Sequence, residues 1–560
     1  MSPFGANCNG KRSWRDVQAK HGFWRLRVAE NRSSPPRCLI EEEKDSMGPP
    51  HCAFSKCLRP DSCHGTPDDE FETCDFDNGY ENSTCGENKN QSCRLCATCR
   101  QGFKRSGSTV KCIQCPPTST NRAMLGVGAV MFSFGTAILI YMTIKDEEAG
   151  EKETSDAVKK IILNFLQMLS LAAGLPLEWP PELESWFHGM NVISSAGTTL
   201  LVPDCEMTHM KTYQAFYLKQ IIFTFTIPMV VILSITVWTC IKFTFGKTCI
   251  KRKSNFKNYT ILSAVLLLFL LYPMLVKTCL SMLKCIKVGN VRYLMADLEE
   301  PCFEERHLGY LLLLSIPQLI LVVIGLPLLS LLVIVRNNGH FERYNFRIRY
   351  GLLYLGYRKK REWWEVVIAF RKVFIVMIGT FGAMMGATDL QAFLALFVIF
   401  FSLMIHMIGK PFDTSQPKLL LLHQLECAAL TLCWTTFWGG LLFFLGHEQP
   451  GIIEPWIRQT MSILIVISNV IFLCFAVYKF LQEFIKDYLT KQETKRQTKL
   501  SMLEVKRALS MSRVKIPSVK VFPLNEDKEK GEENNQDDDE LPLIANDGDG
   551  ATGNALKEWN

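Results

Sequence analysis

Long apolar blocks alternate with short polar loops over most of this chain. Nine blocks stand out, at roughly 122–143, 158–177, 215–242, 259–280, 309–335, 364–386, 389–409, 419–445 and 457–480. A helix needs about 20 predominantly apolar residues to cross a bilayer. Buried helices of soluble proteins are seldom this long and this apolar. The pattern therefore predicts an all-α polytopic membrane protein with about nine transmembrane helices. Polar sequence flanks the blocks and divides the chain into four regions. We assign 1–121 as an extracellular cysteine-rich region and 122–482 as a multi-pass transmembrane domain. A basic amphipathic cytosolic segment at 483–520 follows, then an acidic disordered tail at 521–560.

Charge orients the blocks. Short loops rich in Lys and Arg stay on the cytosolic side. Loop 243–258 carries Lys247, Lys251, Arg252, Lys253 and Lys257, and loop 336–363 carries eight basic residues. The alternate loops are poor in them: Lys211 is the one basic residue in 178–214, and 446–456 has none. Nine crossings then place the N-terminal region outside and the C-terminal tail in the cytosol, with the plasma membrane as the expected location. The net charge of +7 sits mainly beside apolar blocks, so it does not point to nucleic acid. The first residues, MSPFGANCNGKRSWRD, lack the apolar core of a signal peptide. We expect either a first span that acts as a reverse signal-anchor or a chain that is the C-terminal part of a longer protein.

Region 1–121 holds 12 of the 21 cysteines. Its densest stretch, CRLCATCRQGFKRSGSTVKCIQCPP, contains Cys93, Cys96, Cys99, Cys112 and Cys115. Four of these could form a tetrahedral thiolate site for zinc. An oxidising exterior and a region too small for a large core favour disulfides instead, with a connectivity that the spacing leaves open. Cys285 and Cys302 bracket the loop after the fourth block, and we expect them to pair. Asn31, Asn82 and Asn90 open N-x-S/T triplets and are candidate glycosylation sites. No metal and no cofactor are expected.

Several stretches together resemble known proteins. HGFWRLRV (His21–Val28), CAFSKCLRPDSC (Cys52–Cys63), the CxxCxxC run and CIQCPP resemble an ephrin-receptor-like cysteine-rich module. KIILNFLQMLSLAAGLPLEWPP, LLYPMLVKTCLSMLKCIKVGNVRYLMADLEEPC, YGLLYLGYRKKREWWEVVIAFRKV and GKPFDTSQPKLLLLHQLECAAL resemble the TRP-like (transient receptor potential-like) polytopic proteins. The resemblance covers most of 20–480 and implies a cation-permeable channel. Neither ankyrin repeats nor a TVGYG-type filter is visible.

Ionisable groups within a span are candidate functional residues. Arg371 lies five residues, roughly 7.5 Å, inside the cytosolic edge of the sixth block, and Glu426 lies seven residues, roughly 10.5 Å, inside the eighth. Their depths match, so we expect Glu426 to pair with Arg371 or Lys372. His406 and His423 belong to the same layer. Asn164 and Gln167, three apart and hence on one helical face, join it. The layer reads either as structural pairing or as an ion or proton path, and the basic groups alone could snorkel to the headgroups. Pro317 precedes Gln318, where a kink frees backbone carbonyls. The segment SSAGTTLLV is a candidate re-entrant loop.

No metalloprotease, hydrolase, phosphate-loop or dinucleotide motif occurs, so an enzyme is not expected. The leading reading is a cation-permeable channel or other transport protein. The alternatives are a surface receptor or adhesion protein anchored by its helices, and lipid transport. The expected partners are the lipid bilayer, cations, further copies of the chain, and a cytosolic helix-binding partner at 500–515. A tag inserted in loop 446–456 should be reached by antibody on intact cells, and one at 483–520 only after permeabilisation. The opposite pattern would overturn the orientation.

Overall fold

In the computed structural model, residues 6–7, 18–25, 54–65, 73–81, 93–105, 111–148, 153–175, 177, 179–194, 204–207, 209–245, 253–288, 291–382, 388–415, 417–448 and 454–511 are described. Asn31, Asn82, Asn90, the segment 195–203 and the tail 521–560 lie outside them. The chain divides into two units, Met1–Gln492 and Glu493–Asn560.

The cysteine-rich region is built from short antiparallel pairs. Strand β1 (Ala6–Asn7) pairs with β2 (Gln18–Ala19), and β3 (Phe23–Arg25) with β4 (Phe54–Lys56). Likewise β5 (Cys63–Gly65) pairs with β6 (Thr73–Cys74), and β7 (Phe103–Arg105) with β8 (Cys112–Gln114). Strands this short bury too little apolar surface to hold alone. Disulfides Cys57–Cys63, Cys74–Cys96 and Cys99–Cys112 staple them. Cys93 is also disulfide-bonded. The fifth cysteine of the dense stretch, Cys115, reaches Cys205, 90 residues on. In a chain-entropy model a loop of that length contributes about 4–5 kcal/mol. No two cysteines of the would-be zinc quartet remain as free thiols.

Twelve α-helices follow among the described residues. They are α1 (Thr118–Glu148), α2 (Glu153–Ala173), α3 (Pro181–Ser194) and α4 (Thr212–Thr224). Next come α5 (Thr226–Phe245), α6 (Lys253–Ser281), α7 (Glu305–Arg336) and α8 (Tyr344–Tyr354). The last four are α9 (Trp364–Phe381), α10 (Thr388–Gly409), α11 (Pro417–Glu448) and α12 (Pro455–Met511). Between α6 and α7 the chain forms a three-stranded antiparallel sheet of β9 (Cys285–Val288), β10 (Val291–Leu294) and β11 (Asp297–Pro301), in the order β11-β10-β9. Cys285 and Cys302 are bonded at its base. The molecule is thus a mostly helical, multi-pass membrane protein with small sheets in and beneath its cysteine-rich region.

Seven helices among the described residues are long and apolar enough to cross a membrane: α1, α5, α6, α7, α10, α11 and the first part of α12. Nine were expected. The two that fall short are α2 and α9, which match blocks 158–177 and 364–386. Both are long enough, at 21 and 18 residues, or roughly 32 and 27 Å. They fail on polarity, because α2 carries Lys159 and Lys160 and α9 carries Glu365, Arg371 and Lys372. Their position explains the polarity. One apolar cluster joins Phe165, Met168 and Leu169 of α2 to Ile375 of α9, Ile399 of α10, Leu425 and Phe437 of α11 and Phe472 of α12. A second joins Val373 and Val376 of α9 to Tyr272 and Val276 of α6 and Val323 of α7. Helices enclosed by other helices need not present an apolar face all round. By contrast α1 and α5 leave Phe134, Val130, Ile232 and Leu233 exposed, as lipid-facing helices do.

Two other blocks differ in detail from expectation. Block 215–242 is broken at Phe225 into α4 and α5, so Lys219 and Gln220 sit on a separate short helix. Around Pro317, α7 widens into π-type turns at Leu311–Ser315 and Leu319–Ile324. There the Val323 carbonyl accepts from the Tyr272 hydroxyl at 2.9 Å.

Helix α10 approaches α9 closely at Gly409, where a Cβ would stand 2.2 Å from the Trp364 ring. Gly409→Ala should therefore destabilise the fold by about 1–3 kcal/mol, because the buried indole has to shift. Gly126→Ala on α1, with nothing within 4 Å, should stay within about 1 kcal/mol of the parent. Unfolding of both variants in detergent, followed by helical circular dichroism, checks the contrast.

Candidate functional site

Helices α2, α9 and α11 bring a layer of ionisable and amide side chains together inside the bundle. Arg371 on α9 directs both terminal nitrogens at Glu426 Oε1 on α11, each at 3.2 Å. The two residues are 7% and 3% exposed, far below what snorkelling side chains show. One residue on, the Lys372 ammonium donates to Asn164 Oδ1 of α2 at 2.6 Å and lies over the Phe269 ring at 4.8 Å. Adjacent residues of a helix point about 100° apart, so Arg371 and Lys372 reach different neighbours, and α9 is bound to α11 on one side and α2 on the other.

A second tier lies one helical turn away. Lys160, four residues before Asn164 on α2, donates to the Leu355 carbonyl at 2.8 Å. It stands 3.8 Å from Glu365 Oε2 and 4.4 Å from the Tyr357 ring centre. The Tyr357 hydroxyl donates to the same Glu365 oxygen at 2.7 Å. Neither Lys160 nor Glu365 was singled out from sequence, because both sit at the ends of their apolar blocks, where charges are ordinary. The available signal was the i, i+4 spacing of Lys160 and Asn164, which sets both on one face. Across both tiers, three cations face two carboxylates.

His406 of α10 and His423 of α11 stack, with ring centres 4.9 Å apart and planes 14° from parallel. His406 also meets Trp364 edge-on at 6.2 Å, and the Cys427 thiol lies 3.8 Å from His423 Nε2. Ligand atoms of His406, His423 and Cys427 fall within 4.8 Å of one another, a spacing that three donors to one ion would have. The comparable group Cys285, Cys302 and His307 lacks thiolates, since its cysteines are bonded to each other.

Gln167 continues the polar face of α2 one turn beyond Asn164. It is 4% exposed, and both its amide atoms lack a hydrogen-bond partner among the described residues. Packing around the layer is tight. A cavity of about 10 Å³ touches Lys160, Asn164, His406 and Glu426, barely room for one water. Further along the same helices, Leu171 of α2 and Ile375, Val376, Gly379 and Thr380 of α9 border a much larger cavity of about 400 Å³ beside the cysteine-rich region.

That region is fixed to the helices. The Arg94 backbone N–H donates to Glu299 at 2.9 Å, and its guanidinium donates to the Leu298 carbonyl at 2.6 Å and lies 4.0 Å from the Tyr293 ring centre. Arg105 donates to the Met295 carbonyl at 2.7 Å. Leu298 and Val288 of the sheet share an apolar cluster with Trp24, Tyr80 and Leu95. Region 1–121 and the helices up to Gln492 accordingly fall in one compact unit.

No family model matches the chain, and no solved structure matches it. A curated relative, cysteine repeat modular protein A of Toxoplasma gondii, is 25% identical over 229 residues, 39% of this chain. The chain spans about 7% of that relative's length. The similarity agrees with the cysteine-rich character of the chain and leaves its family open.

Proposed function

We propose that this chain is a membrane transport protein whose route follows α2, α9 and α11, with the buried ionic layer as its closed gate. The carrying observation is that layer. Charged residues within membrane-spanning helices are rare and mark functional sites by default. Here Lys160, Arg371, Lys372, Glu365 and Glu426 concentrate on the enclosed helices rather than scatter. In this reading α2 and α9 cross the membrane as well, which brings the crossings to nine. The N-terminal region then lies outside and the helix end at Met511 in the cytosol of a plasma-membrane protein. The resemblance noted above makes a TRP-like, cation-permeable channel the first form to test. Lipid transport would use the same polar interior.

A second reading, a surface receptor, is favoured by a separate observation. The Cys115–Cys205 bond and the Arg94–Glu299 pair join the cysteine-rich region to the turn before α4 and to the sheet. A ligand caught by that region would thus act directly on the bundle.

Removing one partner of a buried ion pair costs about 3–5 kcal/mol, whereas replacing both with apolar residues is often neutral. Glu426→Gln should therefore lower stability by that amount, and Arg371→Met with Glu426→Leu should recover most of it. Flux of sodium, potassium, calcium and chloride through proteoliposomes of the stable double variant is the decisive measurement. A gate predicts altered flux in a well-folded double variant. Flux equal to the parent's would reduce the pair to a structural staple, and no flux from the parent would favour the receptor reading.

A further inference from the structure

The 400 Å³ cavity is walled by the cysteine-rich region, the residues around Asp204, α4, the end of α6, the β10–β11 turn, and α2 and α9. Six cations line it: Arg100, Lys104, Arg105, Lys219, Lys277 and Lys284. One carboxylate, Asp204, also lines it, and it forms an ion pair with Lys219. Arg105 is occupied by the Met295 and Ala296 carbonyls, and Arg100 lies over the Phe76 and Phe103 rings at 4.4 and 4.9 Å. Among the described residues Lys104, Lys277 and Lys284 make no ion pair.

Lys277 is the telling residue. It sits on α6 between helices, with its ammonium 3.8 Å from where a Cβ on Gly174 would stand. Its side chain is nevertheless exposed, because it opens into the cavity. Lys284 lies nearby. Burial first, and then the like charges of Arg105 and Lys277, pull its ammonium down to about 8. Cations gathered in one half-open cavity repel one another, and an anion entering it relieves the repulsion and gains charge-assisted hydrogen bonds. Arg105 and Lys284 are held by the cysteine-rich region and the base of the sheet, so the site exists only when those parts are docked on the helices.

The cavity also has apolar lining, from Leu171, Ile375, Val376 and Phe216. The volume suits a small organic molecule rather than a bare inorganic ion. A phosphate offers up to two negative charges and three acceptor oxygens, which matches three free ammonium groups better than a single carboxylate does.

We propose that this cavity binds an organic phosphate, with the phosphate drawn to Lys104, Lys277 and Lys284 and the carbon body laid on Leu171, Ile375 and Val376. The phosphate could arrive on a soluble ester or as a phospholipid headgroup. The site stands whether or not the chain transports anything.

The test uses the full chain in phosphatidylcholine nanodiscs, with glycerol phosphate titrated as the soluble probe. A second arm adds phosphatidic acid to the nanodiscs and reads retained lipid by native mass spectrometry. Lys277→Gln with Lys284→Gln should weaken binding about tenfold or more in whichever arm binds. Without anion the same variant should melt no lower than the parent, since it removes unpaired cations. Binding in the first arm assigns a soluble ester, and retention in the second assigns a lipid headgroup. Absence of binding in both arms, parent-like affinity in the variant, or a variant that melts lower without anion would each overturn the proposal.

Discussion

The contact between Arg371 and Glu426 sets how the central helices meet. A guanidinium and a carboxylate this deeply buried are tolerable only in each other's company. The pair therefore draws α9 against α11, and Lys372, one residue on, draws the same helix against Asn164 of α2. Once α2, α9 and α11 meet at this layer, the more uniformly apolar α1 and α5 are left to face the lipid. The polar layer is set within apolar clusters of the same helices, while further apolar side chains spread over the surface. The lysine-lined cavity and the His406–His423 stack both border these same central helices.

The molecule has two regimes of organisation. Its helices are sorted by polarity and packing, whereas its cysteine-rich region rests on covalent bonds, because its strands of two or three residues could not persist otherwise. The sheet β9–β11 is the adaptor between them. It is locked at its own base by Cys285–Cys302, and it offers Glu299 and backbone carbonyls of Met295 and Leu298 to two arginines from the cysteine-rich region.

Hydropathy made most of the helices legible, depth counting matched Arg371 and Lys372 with Glu426, and helical spacing added Asn164; the structure brings these four together. Gln167 does lie on the face of Asn164, but it meets no hydrogen-bond partner there among the described residues. Lys160 and Glu365 escaped notice because a charge at the end of an apolar block resembles an anchor. Only the packing of α2 beside α9 shows that those ends are enclosed. The break at Phe225 has no strong signal in its neighbours, Thr224 and Thr226. The bond from Cys115 to Cys205 could not be read either, because pairing depends on where distant segments fold back, and spacing carries no record of that. The cationic cavity was invisible for the same reason, since its six cations come from three separate stretches of chain.

The spacing of the central pair along the chain also bears on how the protein is made. Glu426 is 55 residues downstream of Arg371, so α9 is synthesised, and α10 after it, before the carboxylate that neutralises it exists. Asn164 is already present and can receive Lys372, but Arg371 has no countercharge in the nascent chain at that stage. A helix in this condition partitions poorly into lipid by itself. If α9 crosses the membrane, as in the proposed reading, its insertion waits for α11, so that α9, α10 and α11 enter the bilayer as one group.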